Sequence, residues 1–204
     1  MQAVRATLDR IAHRLPGGPR GNRHLTALLG ALLLLGILAE LGTLVLGLER
    51  TLPWHIALGV ALIPVVLLKL ASTGWRMIRY YTHAAAYRAD GPPRPFLRGI
   101  APIVVGATLA LLGSGVGLVV AGPNAQFFRA LHGASFAIFL LVVGVHAIAH
   151  LPKIRRFAFA DSGQGHALRR AAVGFALVSG GALAVAAAHS AGPWVAAMQH
   201  GLGG

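Results

Sequence analysis

The segment Leu131–Pro152, LHGASFAIFLLVVGVHAIAHLP, decides how the rest of the chain is interpreted. Its only ionisable side chains are histidines, and His132 and His146 stand fourteen residues apart. Fourteen residues of α-helix rise about 21 Å and turn about 1400°, which is about 40° short of four full turns. Both imidazoles therefore project from roughly one stripe of a helix, near opposite faces of a bilayer core about 30 Å thick.

The composition around this segment is that of an integral membrane protein. Of the 204 residues, 56% are hydrophobic and only 11% are charged, whereas a soluble domain carries about 25% charged residues. The chain has no cysteine. This absence excludes disulfides, iron–sulfur clusters, thiolate metal sites and the attachment of a c-type heme.

Five apolar segments predict an all-α bundle of about five transmembrane helices. The first apolar run is longer than the hydrophobic region of a signal peptide and lacks a clear cleavage site, so we expect a retained helix. The second helix is expected to continue to about Tyr81. The predicted spans are residues 25–48, 51–72, 100–121, 127–151 and 171–189. They divide the chain into a basic N-terminal tail (1–24), a bundle (25–190) and a short C-terminal tail (191–204).

The distribution of positive charge predicts the orientation of these helices. Residues 1–24, 73–99 and 152–170 hold fifteen of the eighteen lysines and arginines. The turns on the other side hold only Arg50 and Arg129, an alternation that the positive-inside rule requires of five spans. We therefore expect a multi-pass protein of the inner (plasma) membrane, with the N-terminal tail cytoplasmic and the C-terminal tail outside. The net charge of +13 then reflects topology and not nucleic-acid binding.

A second helix repeats the spacing of the opening segment. His55 and Lys69 are also fourteen residues apart, and each precedes its counterpart in the fourth span by 77 residues. Two parallel neighbouring helices would present His55 with His132 at the outer height, and Lys69 would then meet His146 at the inner height. A planar heme takes axial ligands from opposite sides, so the outer pair is predicted to hold a six-coordinate heme b and the inner pair a second one. His150, one turn beyond His146, competes with Lys69 for the inner site.

Other polar residues have expected roles around these sites. Glu40 is the only acid inside a predicted span, and intramembrane carboxylates mark proton or ligand pathways. It is therefore expected either to accept protons at a quinol pocket near the outer heme or to hydrogen-bond to a neighbouring helix. Four arginines stand at heights that suit pairing with heme propionates. They are Arg50 and Arg129 on the outer side and Arg76 and Arg79 on the inner side.

Residues 25–151 resemble bacterial membrane-bound b-type cytochromes. These are the cytochrome b561-like proteins and the cytochrome b subunits of formate dehydrogenases and hydrogenases. The resemblance rests on His55, His132 and His146 and on the parallel pairing of spans two and four. The segment 69–93 also resembles a recurring part of small actinobacterial-type membrane proteins, some of which resemble anchors for molybdenum-cofactor oxidoreductases. The resemblance implies one or two heme b groups, a quinone or a redox partner protein, and electron transfer across the membrane. The di-heme pattern would have a fourth histidine at the position of Lys69, so this residue departs from the pattern.

Two other functions remain open on the sequence. The intramembrane histidines and Glu40 could bind a transition metal or relay protons in a small transporter, although that function predicts more acids than the chain has. A plain membrane anchor would leave the 77-residue correspondence without a reason. The sequence shows no nucleophile–base set, phosphate loop or carboxylate pair, so any enzyme activity would belong to a complex with a partner. No role is predicted for His13, His24, His83, His166, His189 or His200.

Overall fold

The computed structural model describes residues 18–89, 91, 95–159 and 163–199. All regular structure in these residues is helical. The five long helices are α1 (Gly18–Val45), α2 (Leu48–Tyr81), α3 (Pro95–Ala121), α4 (Gln126–Phe157) and α5 (His166–Ala188). A short helix, Ala85–Arg88, follows α2, while α5 is followed by a 3₁₀ turn at His189–Ala191 and a short helix at Gly192–Gln199.

Each long helix contains a segment that is long and apolar enough to cross a membrane, which confirms the predicted all-α bundle. α2 runs unbroken to Tyr81, as expected, and α1 and α4 extend several residues beyond their predicted spans. The added turns carry arginine and lysine, which are good helix formers. Residues 192–199, predicted as part of a tail, are helical, and the fifth apolar stretch runs on to Ala197.

The two ends of the bundle differ in charge. The end at which α1 and α5 begin and α2 and α4 finish carries most of the lysines and arginines, and is the basic end below. The opposite end contains the turns near Gly47 and Pro123 and is the arginine-poor end. The positive-inside rule predicts that the basic end is cytoplasmic.

Two pairs of helices, α1 with α2 and α3 with α4, form hairpins, because the turns between them are short. α1 packs along α2, α3 packs along α4, and α5 packs along the other side of α2. Smaller contacts join α1 to α4 and α2 to α3. These contacts close four helices into a ring in which α2 and α4 lie diagonally. The sequence interpretation placed α2 and α4 side by side, whereas the structure places them across the centre of the bundle.

Small residues allow the closest helix approaches. A Cβ atom at Gly180 would overlap the carbonyl oxygen of Ala61, and one at Gly36 would overlap the Leu62 side chain. α5 therefore meets α2 at backbone distance, which is the usual effect of glycine at a membrane helix interface. The core shared by α1, α2 and α5 consists of Leu29, Val65, Val173 and Ala176.

The outward faces of the helices are strongly apolar. Leu141, Phe175 and Val178 are each at least 70% exposed. An apolar surface of this extent is rare on a monomeric soluble protein, but it is the normal lipid-contacting surface of a membrane bundle. The chain is therefore a multi-pass membrane protein, and its polar side chains inside the bundle need a separate explanation.

Candidate functional site

Two histidines meet at the centre of the bundle, towards the arginine-poor end. His55 on α2 and His132 on α4 have ring centres 6.4 Å apart, and their ring planes are nearly perpendicular at 89°. Both side chains are partly buried. The diagonal arrangement of α2 and α4 therefore points the two imidazoles towards each other across the bundle.

The His55 ring is oriented by side chains of α1. Its Nδ1 lies 3.0 Å from Thr43 Oγ1 and 2.6 Å from Glu40 Oε2. Neither carboxylate oxygen has a hydrogen bond of normal geometry within the described part of the chain, so the Glu40 contact is a close approach and not an aligned hydrogen bond. The Thr43 hydroxyl donates to the Glu40 carbonyl at 2.6 Å. Since that hydroxyl proton is used, Thr43 accepts from His55 Nδ1.

The His132 ring is oriented in the same way by α3. Its Nδ1 lies 3.1 Å from the Leu111 carbonyl oxygen and 3.2 Å from Ser114 Oγ. A carbonyl oxygen only accepts hydrogen bonds, so Nδ1 carries the hydrogen in this arrangement. Gly115 makes room for the ring, because a Cβ atom there would lie only 3.2 Å from His132 Cε1.

In both rings the contacts are made by Nδ1, which leaves the second nitrogen for another partner. Nε2 of His55 and Nε2 of His132 have no hydrogen-bond partner among residues 18–89, 91, 95–159 and 163–199. Metal–imidazole bonds of about 2.0 Å place the centres of two rings about 6 Å apart across one metal ion. The observed separation of 6.4 Å matches that geometry. Nδ1 held by a carboxylate, hydroxyl or carbonyl, with Nε2 free, is the usual state of a metal-ligating histidine.

The predicted inner site is arranged differently. His146 and His150 stack on each other, with ring centres 4.2 Å apart and planes 18° from parallel. His150 Nδ1 donates to the His146 carbonyl at 3.0 Å. His146 Nδ1 is buried and has no hydrogen-bond partner in the described residues. The Lys69 amine donates to the Thr26 carbonyl on α1 at 3.0 Å, so its one hydrogen bond in the described residues goes to α1 and not to His146.

The four arginines expected near propionates lie at the two ends of the bundle. Arg50 is exposed in the first turn of α2. Arg129, one turn before His132, donates to the Pro123 carbonyl. At the basic end, Arg79 is buried with its guanidinium 5.7 Å from the Trp75 ring centre, and Arg76 is partly buried. Arg129 is thus nearest in sequence to the histidine pair, and Arg79 has an aromatic partner of its own.

The sequence did not point to the groups that orient the two rings. Thr43, Ser114 and the Leu111 carbonyl were not predicted, and Glu40 was not linked to His55. Two of these pairings could have been predicted by counting residues from the turn between the paired helices. Glu40 lies seven residues before Gly47 and His55 eight after it, while Ser114 and His132 each lie nine residues from Pro123. Residues equally far from a tight turn lie at the same height in a helical hairpin.

No protein-family model, curated protein or solved structure was found to match this chain. In the described ranges, no group of three or more histidine, cysteine or acidic side chains is placed to hold a metal ion. The function must therefore be inferred from the residues of the chain itself. Within those ranges, we take the pair His55 and His132 as the candidate site, because both rings are oriented by neighbouring groups and their centres lie 6.4 Å apart.

Proposed function

We propose that this chain is a membrane electron-transfer protein that holds one heme b between His55 and His132. One observation carries the proposal: two imidazoles from diagonal helices meet with ring centres 6.4 Å apart, and neither Nε2 has a hydrogen-bond partner in the described part of the chain. A heme iron with two imidazole ligands needs only these two side chains from the protein. A metal ion without a porphyrin would need further ligands, and the described residues do not provide a group of three.

The surrounding residues fit the role of ligand support. Contacts from a carboxylate or carbonyl to the non-ligating nitrogen fix the orientation of a ring and raise its basicity. Glu40 and Thr43 make such contacts to His55, and the Leu111 carbonyl makes one to His132. The two ligands are therefore held independently, each by the other helix of its own hairpin.

The proposed role is electron transfer because both axial positions would be filled by protein. A heme of this kind supplies a one-electron redox couple and leaves no position open for a substrate. Glu40 provides a proton acceptor beside the site, which suits a quinol that loses two electrons and two protons. We propose the quinone pool and a redox partner protein of the inner membrane as donor and acceptor. A molybdenum-cofactor oxidoreductase is the partner that the family resemblance implies.

A second heme at the inner height has weaker support. The Lys69 amine is bonded to the Thr26 carbonyl, and His146 and His150 stack side by side on one helix. Two stacked rings on the same helix do not approach a metal from opposite sides. We therefore propose a heme-to-protein ratio of one.

Absorption spectroscopy of the protein purified from heme-replete cells tests this proposal. We expect the sharp α-band of a low-spin heme in the reduced-minus-oxidised spectrum, a b-type pyridine hemochrome and a ratio near one. A colourless preparation would reject the proposal. A ratio near two would show that the inner histidines also hold a heme.

Histidine variants test the location of the site. His55→Ala and His132→Ala should each lose most of the bound heme. His189→Ala is the matched control, because His189 is an exposed histidine whose Nδ1 donates to the Val185 carbonyl of its own helix. Equal heme content in the His55→Ala and His189→Ala proteins would place the heme elsewhere.

A further inference from the structure

A cleft opens at the basic end, far along the bundle from the histidine pair. It lies between the first turns of α1, the residues that follow α4 and the beginning of α5, and its volume is about 200 Å³. One water needs only about 15 Å³ of such space, so the cleft has room for a larger group. Nothing in the proposed electron-transfer role uses it.

One side of the cleft is cationic and firmly held. Arg169 is only 5% exposed and donates from Nη1 to the Gln164 carbonyl at 2.8 Å. His24 is 7% exposed, and its Nδ1 lies 2.9 Å from the Phe157 carbonyl oxygen. Arg170 is exposed at the rim. Arg169 and Arg170 therefore both line the cleft near the N-terminal end of α5, where the helix dipole also favours an anion.

The other side of the cleft is apolar. Leu25 and Leu28 line it from α1, and Phe159 lines it from beyond α4. Leu25 and Leu28 also pack against the core of the membrane-spanning bundle. The cleft is thus amphipathic, with arginines on one side and apolar side chains on the other.

The charge balance of this end favours an anionic ligand. Its three segments contain fifteen lysines and arginines, whereas the sequence places only three acidic residues there. These acids are Asp9, Asp90 and Asp161. Clustered arginines bind phosphate oxygens bidentately, and basic pockets between membrane helices bind anionic lipid headgroups.

We propose that this cleft binds an anionic phospholipid, with its phosphate against the exposed Arg170 at the rim and its acyl chains along Leu25 and Leu28. A free phosphate ester offers the same anion, but it would leave the apolar side without a partner. A lipid satisfies both sides. Because α1, the residues after α4 and α5 line the cleft, a bound lipid also links these three segments at the basic end.

Lipid retention and thermal unfolding of the detergent-purified chain test this proposal. Phosphatidylglycerol should remain bound in native mass spectra and raise the unfolding temperature, while phosphatidylcholine should do neither. Arg170→Gln should weaken phosphatidylglycerol binding about fivefold, as expected for the loss of one interfacial positive charge. Arg155→Gln, which removes an exposed charge at the same end outside the cleft, is the control and should change binding less than twofold.

Three results would overturn the proposal. Equal weakening by Arg155→Gln and Arg170→Gln would show diffuse attraction to a basic surface. Equal binding of phosphatidylcholine would show that charge does not matter. Competition by glycerol 3-phosphate as strong as that by phosphatidylglycerol would show that the ligand is a soluble phosphate ester. Leu28→Trp, which fills the apolar side and leaves both arginines in place, should independently reduce lipid retention in protein whose helical circular dichroism is unchanged.

Discussion

At the scale of single residues, the contact between Glu40 and His55 is the main polar feature inside the bundle near the arginine-poor end. A carboxylate inside a bilayer is costly unless it has a partner, and Glu40 Oε2 lies 2.6 Å from His55 Nδ1. The side chains are 15% and 24% exposed respectively, so the two groups share a largely dry site. In such a site the charge of Glu40 acts strongly on anything that His55 binds.

Replacing Glu40 by glutamine is predicted to change the redox potential without removing the heme. A negative charge near His55 would stabilise the ferric form of a heme bound there, so its loss should raise the midpoint potential by about 60 mV, a tenfold shift in a one-electron equilibrium. Spectroelectrochemical titration of the purified variant measures this shift. Glu49→Gln is the control, since Glu49 is an exposed acid at the same end in the first turn of α2. Equal potentials in the two variants would count against a direct contact between Glu40 and the ligand.

At the scale of helices, each histidine is oriented within its own hairpin. α1 supplies the partners of His55 and α3 supplies those of His132. α1 also supplies the Thr26 carbonyl that accepts from Lys69, together with a short polar network in which the Thr26 and Ser72 hydroxyls lie 2.9 Å apart. The hairpin is thus the structural unit that positions polar groups inside this bundle.

The contact between α2 and α5 depends on one glycine. A Cβ atom at Gly180 would overlap the Ala61 carbonyl oxygen, whereas one at Gly181 would meet open space. Gly180→Ala should therefore push α5 away from α2 and destabilise the folded bundle by about 1–3 kcal/mol, the usual cost of overpacking. Gly181→Ala should be neutral or slightly stabilising in thermal unfolding experiments. Similar unfolding temperatures for both variants would mean that the two helices do not meet at backbone distance.

For the whole molecule, the charge asymmetry predicts that the basic end is cytoplasmic. The chain has no cysteine, so single cysteines report accessibility without background. Asn124→Cys at the arginine-poor end should react with a membrane-impermeant maleimide in intact cells, and Thr82→Cys at the basic end should react only after lysis. Both positions are exposed. The reverse labelling pattern would invert the proposed topology.

The sequence predicted the architecture well because hydropathy over a span depends on composition alone. All five spans are present. His55 and His132 stand at similar positions in their helices, and this similarity anticipated two rings at one height. The partners of each ring were less accessible, because they depend on which helix packs against which. Lys69 illustrates the limit. Its position in α2 suggested that it would meet His146, but the neighbouring α1 offers the Thr26 carbonyl, to which the amine donates at 3.0 Å.

Electron paramagnetic resonance of the oxidised protein tests the central claim most directly, because the ferric signal reports both axial ligands. Two imidazoles with planes 89° apart should give a strongly anisotropic low-spin signal. We predict this signal in the unmodified protein and in Lys69→Ala, and its loss in His55→Ala and in His132→Ala. A high-spin signal in the unmodified protein, or a low-spin signal that survives either histidine replacement, would contradict a heme held between His55 and His132.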